Sequence, residues 1–215
     1  MKKQLLALCL PLAMAFTPFS ANAAMILGFD AGVYVWSPEA TGTAGAVNAA
    51  GLDGDNNVSY FAFEHPVPFV PNVKLQVADM AVGTGANLVD LSHIDQIIYH
   101  EILDNFVSAD VGLAARAIDG SYDGATIDET VYMVYASAEV EIPVTGLSVG
   151  MEVIKDFGLD KNGIYDVKIR ARYEIMGGLG VEVGQRTVTM DLKERAPTTQ
   201  DLEFDGTYFA LTYTF

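Results

Sequence analysis

The sequence predicts an all-β fold, a transmembrane antiparallel up-and-down β-barrel of about ten strands. Three observations predict it. The last seven residues alternate strictly, with Phe209, Leu211, Tyr213 and Phe215 on one face and Ala210, Thr212 and Thr214 on the other. A period of two is a strand. The chain is 51% hydrophobic with a mean hydropathy of +0.26, yet its formal charge is −16. Outside the N-terminus it has no apolar run of the roughly 18 residues that a membrane-spanning helix needs. High apolar content without a helical span fits strands with one face to lipid and one to a polar lumen. A soluble exported β-barrel or sandwich, binding a small apolar ligand, would also fit the bulk numbers.

Residues 1–23 read as a secretory signal peptide. Lys2 and Lys3 form a positive start, Leu5 to Phe16 an apolar core, and Ala21-Asn22-Ala23 a small-x-small cleavage site. The mature domain is then 24–215. Cys9, the one cysteine, lies in the removed segment, so no disulfide is expected. Loss of Lys2 and Lys3 takes the formal charge from −16 to −18, which excludes nucleic acid as a partner.

The first strand is read over 24–36, with Leu27, Phe29, Ala31, Val33 and Val35 opposite Gly28, Asp30, Gly32, Tyr34 and Trp36. Residues 37–57 read as a long loop. Asp53-Gly54-Asp55-Asn56-Asn57 faintly resembles the start of a calcium loop. Val58 stands where such a loop needs glycine, however, and turn chemistry explains the run without metal. Strand two is Val58 to Glu64. Pro66, Pro68 and Pro71 then enforce a tight connection, because proline cannot sit inside a sheet. Strand three sets Val73, Leu75 and Val77 against Lys74, Gln76 and Ala78, and residues 83–92 read as a loop.

Strand four, about Ile94 to Leu103, turns Asp95, Tyr99 and Glu101 inward and Gln96, Ile98, His100 and Ile102 outward, with a turn at Asp104-Asn105. Strand five alternates Val111, Leu113, Ala115 and Ala117 with Asp110, Gly112, Ala114 and Arg116. A loop is expected over Asp119-Gly120 to Asp123-Gly124. Strand six then puts Tyr132, Val134, Ala136, Ala138 and Val140 out and Tyr135, Ser137, Glu139 and Glu141 in. Pro143 to Gly146 is a turn. Strand seven opposes Leu147, Val149, Met151 and Val153 to Ser148, Gly150 and Glu152, and Asp160 to Gly163 carries an Asn-Gly hairpin signal. Strand eight has the strongest alternation, Tyr165 to Ile175 against Asp166, Lys168, Arg170, Arg172 and Glu174. Gly177-Gly178 turns into strand nine, where Leu179, Val181 and Val183 oppose Glu182, Gly184 and Arg186. A polar loop at about 192–202 leads to the closing strand.

An even strand count puts both chain ends on one side, the periplasm in bacterial barrels, where turns are short. The connections after strands two, four, six and eight are short; those after one, three, five and nine read as longer. Phe29, Tyr132, Tyr165, Tyr173, Tyr213 and Phe215 share the outward face, as interfacial girdles do.

The C-terminal Tyr213-Thr214-Phe215 resembles the signal read by the outer-membrane barrel assembly machinery, with Phe209, Leu211, Tyr213 and Phe215 as its apolar face. The Glu64 to Asn72 turn, Leu103-Asp104-Asn105 and Asp110-Val111-Gly112-Leu113 resemble a family of small, uncharacterised outer-membrane β-barrel proteins of Gram-negative bacteria. The resemblance covers the mature chain. It implies residence in the bacterial cell outer membrane, contact with lipid and lipopolysaccharide, and biogenesis through the assembly machinery. It carries no reaction and no cofactor.

Function has to be sought on the inward faces. These hold Asp30, Lys74, Asp110, Arg116, Glu139, Glu141, Glu152, Asp166, Lys168, Arg170, Arg172, Glu174, Glu182 and Arg186. They can line a charged pore or pair into a plug. Eight strands leave room only for side chains, and wide channels come with about sixteen, so a barrel of about ten favours the plug. The cations of strand eight call for the acids of strands six and seven. The expectation is a structural, passive-transport (narrow porin-like) or cell-surface role, with no catalysis and no metal. The alternative is a hydrolase or acyltransferase centred on His93 and Asp95, which read as lying near the outer rim beside Asp90 and Ser92.

Overall fold

In the computed structural model the described residues are 27–67, 69–157, 163–191 and 200–215. The expected signal peptide with Cys9 lies outside them, as do Pro68, most of the Asp160 to Gly163 hairpin and most of the polar loop before the last strand.

Ten long strands form one antiparallel ladder. They are β1 (Gly28–Ala44), β4 (Asn56–Glu64), β5 (Asn72–Ala78), β8 (His93–Asp104), β9 (Val107–Tyr122), β10 (Ala125–Ile142), β11 (Leu147–Asp156), β12 (Ile164–Met176), β13 (Leu179–Asp191) and β14 (Gln200–Thr214). Each pairs with its neighbours in chain order, and β14 pairs back onto β1 from Asp30↔Thr214 to Ala44↔Gln200. The barrel is therefore closed and has no free edge to manage. Four two-residue strands, β2 (Val47–Asn48), β3 (Leu52–Asp53), β6 (Ala81–Val82) and β7 (Val89–Asp90), lie in the connections at the end away from the termini.

Facing follows the expected alternation. Val33, Val35, Leu75, Val77, Ile98, Val111, Leu113, Val149, Met151, Ile169, Val181, Phe209 and Leu211 are all exposed on the outside. Gln96 and His100 on β8 and Ser59 on β4 are polar interruptions of this belt. A continuous exposed apolar band is far larger than a water-soluble surface carries, which argues against the soluble alternative. Tyr132, Tyr165 and Phe209 stand where the belt gives way to polar outward residues, and Tyr173 and Phe215 stand toward the termini.

Several boundaries depart from expectation. Residues 37–57 are not a loop: β1 continues to Ala44, and β2 and β3 pair back onto it. Strand five does not stop before Asp119, because β9 and β10 run on to a two-residue turn at Asp123 (φ 50°) and Gly124 (φ 73°). Likewise the closing strand begins at Gln200 rather than after 202, and β8 begins at His93. The cause is shared. Beyond the belt the outward positions are polar, as in Ser37, Glu39, Thr41, Asp119 and Asp201, and such residues read as loop although the ladder continues past the apolar band. The faint calcium reading does not assemble: Asp55 accepts a hydrogen bond from Ser37 Oγ at 2.7 Å, while Asn56 Oδ1 accepts from the Ala81 amide at 3.0 Å.

Candidate functional site: a filled lumen

The end of the lumen away from the termini is apolar, which a simple polar-lumen expectation does not contain. Trp36, Ile118, Ile127, Met133, Val188, Met190, Leu202 and Phe204 point inward from five barrel strands, Met80 and Leu91 from the connections, and all are buried. The connections fold over them, with Val47, Ala49, Val82 and Val89 buried in the same cluster. Cross-mouth hydrogen bonds hold this cap: Ala46 N–H to Asp123 Oδ2 at 2.9 Å and Gly83 N–H to Asp53 O at 3.0 Å.

Below the cap lies a layer of charge. Arg116 grips Asp95 through two bonds, Nε to Oδ1 at 2.6 Å and Nη2 to Oδ2 at 2.8 Å, and reaches Asp166 Oδ2 at 2.7 Å. Arg186 holds the same Asp166 from the other side at 3.1 and 2.7 Å. Two parallel N–H···O bonds from one guanidinium give both energy and fixed geometry. Arg116 and Asp95 are 0% exposed, so no water-filled path passes them. Gln76 donates to Asp95 Oδ2 at 3.1 Å.

His93 belongs to this layer, and its expected place near the outer rim is corrected. It is buried, with Nδ1 2.9 Å from the Leu91 carbonyl and Nε2 3.5 Å from Arg186 Nη2. A carbonyl can only accept and a guanidinium only donate, so the ring is the neutral Nδ1–H form with both nitrogens engaged. Asp95 is equally inaccessible. His93, Asp95 and Asp166 lie close enough to suggest a cation site, but Arg116 and Arg186 already occupy their carboxylate oxygens. The misplacement arose because His93 sits one residue before the clear alternation of Ile94 onward.

The next layer is built on Glu152, which takes Lys74 on one oxygen and Lys168 Nζ on the other at 3.0 Å. Tyr135 adds a hydroxyl at 3.3 Å. Lys74 stands over the Tyr60 ring at 5.1 Å and Lys168 over Tyr34 at 5.6 Å, cation–π contacts that replace lost hydration. Glycine on the facing positions makes room for the tyrosines: a Cβ at Gly32 would lie 2.5 Å from the Tyr60 ring, and one at Gly184 2.5 Å from Tyr208.

Closer to the termini, Arg170 pairs with Glu139 at 2.9 and 2.7 Å. Arg172 pairs with Glu182 at 3.1 Å and with Asp30 at 3.5 Å, and also donates to Tyr60 at 3.0 Å. Tyr208 closes the set by donating to Glu182 at 2.7 Å. Through these layers six cations, Lys74, Arg116, Lys168, Arg170, Arg172 and Arg186, meet six carboxylates, Asp30, Asp95, Glu139, Glu152, Asp166 and Glu182. The filling is neutral overall.

Of the fourteen expected inward charges, Asp110, Glu141 and Glu174 stand apart. They join Glu64, Glu101 and Asp104 around a vestibule at the termini end, one lobe of about 280 Å³ and another of about 230 Å³. Asp110 accepts from Ser137 Oγ at 2.5 Å and Glu64 from Tyr99 at 2.8 Å. None of these six acids forms an ion pair among the described residues. Sequence reading missed Glu64 and Asp104 here because both sit where a strand meets a turn. The vestibule ends against Lys74, Lys168 and Glu152.

No protein-family model matches the chain, and no curated protein matches it in sequence. Among solved structures, the translocator domain of autotransporter NalP from Neisseria meningitidis overlays with a TM-score of 0.41 at 12% identity, 88% of each chain being covered. The P. putida toluene transporter TodX overlays at 0.31 and 7% identity, over 91% of this chain and 94% of that one. The outer membrane protein opdK from Pseudomonas aeruginosa overlays at 0.27 and 10% identity, over 88% and 98%. At these scores the overlays carry no argument of their own; the closed ladder establishes the barrel.

Proposed function

We propose that the chain is an integral outer-membrane barrel with a closed lumen, serving a structural or cell-surface role and catalysing no reaction. The observation that carries this reading is the dry layer of Arg116, Asp95, Asp166 and Arg186, which spans the lumen beneath an apolar cap. A pore needs a continuous wet path, and a site for acid–base chemistry needs a group within reach of substrate; neither fits that layer. Export by the N-terminal segment, assembly through the terminal strand, and lipid and lipopolysaccharide as the surrounding partners follow from the same reading. The exposed outward face of Phe209, Leu211 and Phe215 supports it. So does the resemblance of the Glu64 to Asn72 turn and of Asp110 to Leu113 to small outer-membrane barrel proteins.

The test is conductance of the refolded mature chain in a planar bilayer, with heat-modifiable gel mobility as proof of a folded barrel. A folded barrel without conductance is the expected result. Discrete, ion-selective openings would overturn the closed lumen and make the chain a narrow channel.

A further inference from the structure

The two ends of the outward face differ. Away from the termini the belt gives way to polar residues while the strands continue, as in Thr130, Asp128 and Thr126 on β10 and Gln185 and Thr187 on β13. Toward the termini there is no such band. Ile102, Val107, Ile142, Ile175 and Leu179 carry the exposed apolar surface to the very ends of their strands.

It then continues over the turns. At the four short connections on this end large apolar side chains stand exposed: Val67, Phe69 and Val70 before β5, Phe106 before β9, Val144 before β11, and Met176 at the last position of β12 beside the Gly177-Gly178 turn. Phe69 is 96% exposed and Val144 fully so. Two of them are held there against local preference. Phe69 has φ of 69° and Val144 φ of 70°, in the left-handed region that bulky and β-branched residues avoid. Glycine or asparagine would turn the chain without strain and without exposing apolar surface. A strained conformation that presents a hydrophobic group outward marks a surface made for contact.

We propose that the termini end of the barrel is seated in the headgroup and upper acyl layer of a zwitterionic phospholipid leaflet, with the four turn tips inserted, instead of standing in water. The inference rests on the membrane reading above. Lipid is the occupant because the tips are continuous with the belt that lipid already covers, with no polar band between. Charge selects the kind of lipid. The rim acids Glu64, Glu101, Asp104, Asp110, Glu141 and Glu174 lack cationic partners among the described residues and would repel an anionic surface.

The mature chain is expected to lack cysteine, so single-cysteine variants can be labelled cleanly. Phe69→Cys, Phe106→Cys, Val144→Cys and Met176→Cys would carry a fluorophore, with Leu211→Cys as the belt control and Glu203→Cys as the water control. Each is refolded into phosphatidylcholine vesicles and checked by heat-modifiable mobility. Phe106 has ordinary backbone geometry, so its variant serves if the strained positions do not tolerate replacement. Iodide on both sides probes water, and lipid brominated near the headgroup probes the interface. The expected result is several-fold less iodide quenching at the tips than at position 203, with strong quenching by the shallow bromines. Replacing phosphatidylcholine with phosphatidylglycerol should weaken the bromine signal at the tips. Iodide quenching at the tips equal to that at 203, with position 211 still quenched by lipid, would overturn the proposal and make the tips a protein-docking surface. Tip quenching that is unchanged or stronger in phosphatidylglycerol would overturn the choice of zwitterionic lipid. Loss of lipid quenching at position 211 itself would instead bring down the membrane reading.

Discussion

Arg186 lays its guanidinium on the face of Trp36, 4.8 Å from the ring centre, while its nitrogens hold Asp166. This contact is the seam between the apolar cap and the ion-pair layer. It lets a charge lie directly under a hydrophobic core without an unpaired face. Arg186→Lys keeps the charge but loses both the stacking plane and the two-pronged grip. We expect it to lower unfolding free energy in lipid vesicles by about 1–3 kcal/mol, read by urea titration.

Arg116 gives a larger effect. Arg116→Met leaves Asp95 without its cation in a dry lumen, and removal of one partner of a buried pair costs about 3–5 kcal/mol. The double variant Arg116→Met with Asp95→Asn should recover much of that loss. A double-mutant cycle by denaturant titration measures it; simple additivity of the two single effects would contradict the pairing.

The Glu152 layer predicts an asymmetry. Lys74 and Lys168 share this one carboxylate. Glu152→Gln strands two buried cations and should prevent folding or cost about 3–5 kcal/mol. Lys74→Met leaves one cation for one carboxylate and should be tolerated with a change below about 1.5 kcal/mol. Equal damage from both would show that the tyrosine faces, and not the carboxylate, support Lys74.

The height of the belt can be mapped by charge. Leu113→Arg, in the exposed apolar band, should cost about 2–4 kcal/mol of folding into a bilayer. Thr130→Arg, beyond the Tyr132 boundary, should cost close to nothing. Vesicle-folding titrations give both values, and similar costs would misplace the boundary.

Backbone strain at the turns gives a prediction of opposite sign. Val144→Asn places a residue that accepts the left-handed region where φ is 70°. It should raise stability by about 1 kcal/mol in short-chain detergent, where no leaflet rewards an apolar tip. In phosphatidylcholine vesicles the gain should shrink or reverse.

The parts of this architecture legible in sequence are those carried by alternation within one strand. The inward and outward faces of β12 and β14 could be read directly, because Tyr165 to Ile175 and Phe209 to Phe215 keep their phase. Pairings between distant strands were not legible. Arg116 meets Asp166 fifty residues away, and Lys74 meets Glu152 seventy-eight away; only closure of the ladder brings them together. The cap was hidden for another reason. Leu202 and Phe204 are in phase with Tyr208, but Leu202 follows Gln200 and Asp201 and so fell at the end of the polar loop read over 192–202. Extending the phase of Trp36 forward to Ala40 and Ala44, and of Tyr208 backward to Leu202, would have exposed both the strand length and the apolar interior.

Trp36 is the only tryptophan in the chain, and its indole N–H donates to the Gly206 carbonyl at 3.0 Å, across the pair that closes the barrel. The two residues are 170 positions apart, so this bond forms only when the first and last strands meet. Long-range pairing is the slow part of β folding. The protein thus contains its own optical clock. The emission of one native fluorophore reports the final zipping of the cylinder, separately from adsorption to the bilayer and from formation of the sheet.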